Sequence, residues 1–275
     1  MKTKLFELEE TEIIDVQNDN LITVAQLRCR SNELENIISI HKAFEDNLII
    51  ISENSEMEEV GQIELENLSN SYVFILDGDI LKGAKQNRVI NTSVLVAPKS
   101  KIILPVSCVE KGRWSYRSRN FSPSDEVAHR SIRYSKTNFI NSNKKANISS
   151  FEANQSDVWK QVANVNHCVE FVSDTESHSD LFNEYKDELK DLTKEFKCSD
   201  MANGIAIFIG DHLYSCEIFN NNNLLKDYFM KLLKTSAMDV KLGSHDQIRK
   251  LDNQKLIYDT INNIVGEFNK STDLP

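Results

Sequence analysis

The 275-residue chain has no apolar run of about eighteen residues, the length that a membrane-crossing helix requires. Its opening, Met1-Lys2-Thr3-Lys4-Leu5-Phe6-Glu7, turns acidic where a secretion signal needs an apolar stretch. A soluble, cytoplasmic protein without membrane partners is therefore expected. The five cysteines (Cys29, Cys108, Cys168, Cys198, Cys216) are odd in number, widely spaced and never form C-x-x-C, which argues against a disulfide framework and a zinc knuckle. The six histidines form no H-E-x-x-H or H-x-E grouping, and G-x-G-x-x-G, the Walker loop and the G-x-S-x-G elbow are all missing. Neither a metal nor a bound cofactor is expected.

What is present suits a folded chain. With 40% hydrophobic and 27% charged residues, there is material for a large core, read as a single domain over 1–275. The net charge of −10 hides an asymmetry: from Lys82 to Lys145, fourteen Lys or Arg face only Glu110, Asp125 and Glu126. That segment carries +11 and the remainder −21. A nucleic-acid binder usually shows a basic balance overall, so one basic segment in an acidic chain points to a local anionic ligand. Pairing of the basic segment with the acidic remainder is the alternative.

The pattern along the chain is α+β, with a β-rich part over 1–114, a long basic loop over 115–155 and a helical part with a β-hairpin over 156–275. Residues 21–27, 48–53 and 70–76 are short β-branched apolar runs bounded by Asn, Asp or Ser, which read as strands. Between the first two, 31–38 reads as a helix with Ser31 as its cap, or as a turn-rich excursion. Asp77-Gly78 marks a turn. Strands follow over 88–96 and 101–110, the second expected at an edge or bulge because Pro105 has no amide hydrogen. The Ser-, Asn- and Arg-rich stretch from 115 to 155 shows little sustained periodicity. Helical spacing appears over 158–163, 181–196, 224–233 and 253–268, and a hairpin turns at Gly210-Asp211.

Candidate site residues concentrate between Asp77 and Trp114. Gln86, Asn87 and Arg88 supply amides and a guanidinium able to grip a phosphate; Asn91 and Arg113 join them as ligand-binding candidates. Their alternative role is to satisfy turn backbone groups and pair with core-facing acids. Glu110 is a candidate general base or ribose-hydroxyl acceptor, or else one half of a salt bridge. Cys108 is a second catalytic candidate. Its Cys108-x4-Arg113 spacing is one short of the cysteine-phosphatase loop, and a neighbouring carboxylate opposes thiolate formation, so a small buried thiol is the competing reading. Trp114 stacks on a base or belongs to the core.

The strings Gly83-Ala84-Lys85-Gln86-Asn87-Arg88, Asn91-Thr92-Ser93 and Pro105-Val106-Ser107-Cys108-Val109-Glu110-Lys111-Gly112-Arg113-Trp114 resemble the ADP-ribosylglycohydrolase-and-rhodanese-phosphatase-associated protein domain family. The likeness continues more weakly through Gln155 and Trp159 to the hairpin and the helix after Asn223, and departs from the family pattern at Asp79, where glutamate is commoner. It implies a role around ADP-ribose or NAD metabolism and cellular defence. Three functions follow as expectations: binding of a phosphate-bearing nucleotide-type ligand related to ADP-ribose or NAD, with or without its hydrolysis; a non-catalytic sensor or protein-interaction domain in a stress or defence pathway; and nucleic-acid binding through the basic loop.

Overall fold

The computed structural model describes residues 6–19, 21–31, 34, 36–53, 60–148, 150–243 and 254–272. Its contacts gather into two compact units, residues 1–35 with 187–275, and residues 36–186. Their borders fall elsewhere than the compositional changes at 114 and 155. Among the described residues are thirteen strands and seven helices, and no helix is long and apolar enough to cross a membrane.

The discontinuous unit is a four-stranded antiparallel sheet in the order β1 (Phe6–Asp19), β2 (Ile22–Ser31), β12 (Gly204–Ile209) and β13 (His212–Ile218). The expected hairpin at Gly210-Asp211 is present, with Ile209 opposite His212. Ala25, Leu27, Ala206 and Phe208 pack with Ile257 and Ile261 of α7 (Gln254–Thr272). Helix α6 (Asn222–Leu242) starts where the Asn221 side chain accepts the Leu224 N–H, which satisfies one of the orphan donors of its first turn. The predicted helix start at Asn253 lies outside the described residues. The short α5 (Lys186–Thr193) begins at the border of the units.

In the 36–186 unit, β3 (Ile37–Ser39), β6 (Tyr72–Ile75) and β9 (Val94–Val96) form one small sheet. The larger sheet runs β11 (Phe121–Val127), β7 (Asp79–Gly83), β8 (Arg88–Ile90), β10 (Lys101–Cys108), β5 (Gln62–Asn67), β4 (Ile49–Glu53). Helices α1 (Ile40–Glu45), α2 (Arg130–Lys145), α3 (Gln155–Cys168) and α4 (His178–Glu184) complete it. One core gathers Ile51, Ile63, Leu65, Ile75, Leu104 and Phe121; another packs Ile80, Val89 and Val109 against Ile132, Val158 and Val162.

Three expectations need correction. The 31–38 helix is not formed: Ser31 ends β2, Ile37 to Ser39 are extended, and the helix begins at Ile40, where the Ser39 hydroxyl accepts the Lys42 N–H. Asn32, Glu33 and Glu35 lie outside the described residues. The basic loop is largely ordered secondary structure, β11 followed by the sixteen-residue α2. The strand read over 88–96 is two strands, β8 and β9, in different sheets. Pro105 keeps a ladder partner on one side only, where β10 passes from pairing with β5 over 101–105 to pairing with β8 over 106–108, and this accommodates a residue without an amide hydrogen.

Candidate functional site

The Gly83–Asn87 turn between β7 and β8 lies against the chain that leaves β10. Its shape needs a glycine: Gly83 has φ +120°, and a Cβ there would come within 2.7 Å of the Asn120 carbonyl oxygen. Ala84 follows with φ +43°, a left-handed conformation that is unfavourable for alanine. Arg113 holds this turn. Its Nη1 donates to the carbonyls of Ala84 and Ser115, both at 2.7 Å, and Nη2 donates to Gly83 O at 3.2 Å and Asn87 Oδ1 at 3.3 Å.

The same guanidinium clasps Glu110, whose side chain is 0% exposed, from Nε to Oε1 at 2.8 Å and from Nη2 to Oε2 at 2.6 Å. Such a two-pronged pair is the strong form of charge-assisted hydrogen bond. The Asn87 N–H adds a third donor at 3.0 Å, Thr175 Oγ1 a fourth at 3.1 Å, and Arg117 stands 3.6 Å away. Burial pushes the Glu110 carboxyl up, but the Arg113 and Asn87 hydrogen bonds and the charges of Arg113 and Arg117 outweigh it and hold the group below its ordinary value. Gln86 extends the network, giving its amide to Glu110 O at 2.9 Å and accepting from Arg88 Nη1 at 3.0 Å.

Above Asn87 opens a cleft of about 220 Å³ bounded by Lys82, Asn87, Arg117, Ser122, Ser179 and Asp180, with Gly83, Ser118 and Asn183 completing its rim. Glu126 of β11 anchors one side: Lys82 Nζ lies 2.9 Å from its Oε1, Ser179 donates to it at 2.6 Å, and Ser124 also donates to it. Asp180 is fixed by Ser173 at 2.7 Å, and Thr175 Oγ1 stands within reach of Asp180 at 3.4 Å as well as of Glu110. The 170s loop is positioned by close backbone contact at Gly112, where a Cβ would meet Thr175 Cα at 2.9 Å and where the Gly112 N–H donates to Thr175 O at 2.8 Å. The wall is thus amides, hydroxyls, two cations and one carboxylate.

Asn87 is the predicted residue that lines this cleft; Gln86, Glu110 and Arg113 lie in the network that supports it. Arg88 is 1% exposed, with Nε unpartnered and its nearest carboxylate oxygen, on Glu53, at 3.9 Å. Cys108 is buried between the Gln155 amide, which grips its backbone N–H and carbonyl, and Glu110 O, which its thiol meets at 3.2 Å. Burial pushes the thiol up, and the Glu110 backbone, the Arg88 charge and the Trp159 indole offset only part of that. Asn91 accepts from Ser107 and donates to Phe151 O, away from the cleft wall. Trp114 is 55% exposed, so it is not core.

Arg117, Glu126, Ser179 and Asp180 were not singled out from the sequence, and Lys82 stood out only as one of the crowded cations between Asp77 and Trp114. They come from four separate segments with no shared spacing, and only the basic charge of Lys82 and Arg117 gave any signal. Among the described residues no group of three or more His, Cys, Asp or Glu is arranged to hold a metal ion.

Residues 10–271 match the model of the ARG and Rhodanese-Phosphatase-superfamily-associated Protein domain, and the chain belongs to that family. No curated protein and no solved structure matches it.

Proposed function

We propose that this family member binds a phosphate-bearing, nucleotide-type ligand related to ADP-ribose or NAD in the cleft between the Gly83–Asn87 turn and the Ser179–Asn183 segment. The observation that carries this reading is the meeting of Lys82 and half-exposed Arg117 on the rim of one polar cleft, above the hydrogen-bonded Arg113–Glu110–Asn87 network. Phosphate oxygens accept from Arg117 and Lys82, while Asn87, Ser122 and Asp180 offer partners to ribose hydroxyls. The family's name, which couples it to ADP-ribosylglycohydrolase proteins, selects ADP-ribose as the first ligand to try.

The roles differ from those drawn on the sequence. Arg113 shapes the turn beneath the cleft, Arg88 is buried beside Gln86, and the rim cations do the gripping. Glu110, saturated with donors and held ionised, positions Arg113 instead of taking a proton. Where hydrolysis accompanies binding, Asp180 is the carboxylate placed to accept one. Burial of Cys108 weighs against thiol chemistry. Nucleic-acid binding is weakened because Arg88, Arg113 and Lys136 of the basic segment are turned inward.

The test is incubation of purified protein with ADP-ribose and with NAD, read by thermal shift and by mass spectrometry of the supernatant. A raised melting temperature with product formation makes it an enzyme. A raised melting temperature without product favours the sensor reading, and no shift with any phosphate-bearing nucleotide removes the proposal.

A further inference from the structure

We infer that Trp114 and Tyr116 form a nucleobase platform beside this cleft, so that its ligand is read at both ends, anion at Lys82 and Arg117 and aromatic ring on the platform. The inference rests on the cleft being the ligand site and adds the class of ligand that fits it.

Size is the first argument. Sites that enclose a complete small-molecule ligand run from roughly 300 to 1,000 Å³, and this cleft measures about 220 Å³. It has room for a phosphate and part of a sugar, and the rest of a nucleotide has to lie on adjoining surface. The adjoining surface is the second argument. Tyr116 directly precedes Arg117 of the rim, and Lys85 is two residues beyond Gly83 of the rim. Trp114 is 55% and Tyr116 62% exposed, two large rings presented to solvent on one short loop.

Single exposed aromatics are ordinary, but these two share unusual support. The residue between them, Ser115, has its carbonyl held by Arg113 at 2.7 Å, and the Arg117 N–H donates to Ala84 O at 3.0 Å. The loop is therefore tied at Arg113, Ser115 and Arg117 while both rings point outward. Lys85 Nζ lies 5.2 Å from the Trp114 ring centre and 5.5 Å from that of Tyr116, within cation–π range of both. Exposed rings next to cations that suit a phosphate reproduce the two elements by which proteins hold unpaired nucleotides, a stacking face and a positive groove. A purely phosphate-directed site would have no use for the rings.

The experiment measures binding of adenosine 5′-monophosphate, ribose 5-phosphate and adenosine to the full chain by calorimetry, in the wild type and in Trp114→Ala, Tyr116→Ala and Trp114→Phe. One stacked base corresponds to a preference of about ten-fold or more, so the monophosphate should bind at least that much tighter than ribose 5-phosphate. Trp114→Ala and Tyr116→Ala should erode this preference by weakening the monophosphate while leaving ribose 5-phosphate unchanged, and Trp114→Phe should keep most of it. Equal affinities in the wild type, or a preference untouched by both alanine variants, overturns the platform. Adenosine binding that depends on Trp114 while ribose 5-phosphate fails to bind upholds the platform and removes the phosphate reading. If none of the three binds, both are removed.

Discussion

Two clusters of charge in the 36–186 unit draw on the same basic segment and end differently. In the first, Lys136 of α2 is 1% exposed and points its ammonium at Asp77, 2.6 Å away, and at Ile90 O, with Arg133 closing on the other Asp77 oxygen at 3.4 Å. Burial lowers the Lys136 ammonium, and the charge and hydrogen bond of Asp77 offset part of that. Here the cations are spent on docking α2 against the sheet. In the second, Arg113 and Glu110 are equally hidden, but their network continues outward from Arg113 to Asn87 and from Glu110 to Arg117, both of which line a cleft. A positive excess in sequence is thus no direct measure of the charge offered to a ligand. Most of it can be consumed in holding the fold.

If the second cluster is the keystone of its turn, Arg113→Ala should have the largest effect. It takes both guanidinium hydrogen bonds from a buried carboxylate and one donor from each of four backbone or amide acceptors, and loss of one partner of a buried pair costs about 3–5 kcal/mol. Urea unfolding should show a drop of that order, with Arg113→Lys recovering little because an ammonium cannot reproduce the planar fork. In the sealed cluster Lys136→Ala should cost less, about 2 kcal/mol, because Arg133 still pairs with Asp77. A loss in Lys136→Ala exceeding that in Arg113→Ala would reverse the ranking.

A smaller effect is tied to pH. His178 accepts the His129 N–H on Nε2, stacks on Phe182 at 4.8 Å and leaves Nδ1 buried without a partner. Burial, then the charges of His129 and Lys82, push it down from 6.5 to about 3. The folded protein refuses a proton that the unfolded chain accepts, so the stability from this neutral ring is complete above 6.5 and is lost as pH falls from 6.5 toward 3. The slope should be roughly 1 kcal/mol per pH unit in that window. His178→Gln, unfolded in denaturant at pH 6.5, 5.5 and 5, should show a flatter dependence than the wild type.

How far sequence alone reaches can be seen residue by residue. The strands around Ile51, Val73 and Leu104 were legible because β-branched apolar runs between Asn, Asp and Ser have few other uses. Helix α2 was hidden because its buried face reads Ile132, Lys136, Ile140, and a lysine in the middle of the stripe interrupts the apolar period. The helix near residue 40 was placed too early because Ser31 and Ser39 are equally good caps and only the β3 pairing with β6 decides between them. Around the site, Gln86, Asn87, Glu110 and Arg113 stood out by residue type alone, and their meeting in one hydrogen-bonded network depends on how the turn after β7 packs on the chain leaving β10. Which cations face outward was not legible, since Arg88 and Arg117 differ only in what the rest of the chain packs over them. Asp180 and Ser179 reach the cleft from almost a hundred residues beyond Lys82, and no local pattern announces such a meeting.

The central claim, that the rim cations bind the ligand while the buried ones hold the fold, meets its most direct test in one variant. Lys82 and Arg117 should be replaced together by alanine, and both ADP-ribose affinity and urea stability measured against the wild type. The account predicts that affinity falls at least ten-fold, about 1.4 kcal/mol, whereas stability falls by clearly less than in Arg113→Ala, because Ser124 and Ser179 still donate to Glu126 and Arg113 still clasps Glu110. Wild-type affinity in the double variant, or a collapse of its stability on the scale of Arg113→Ala, would contradict it.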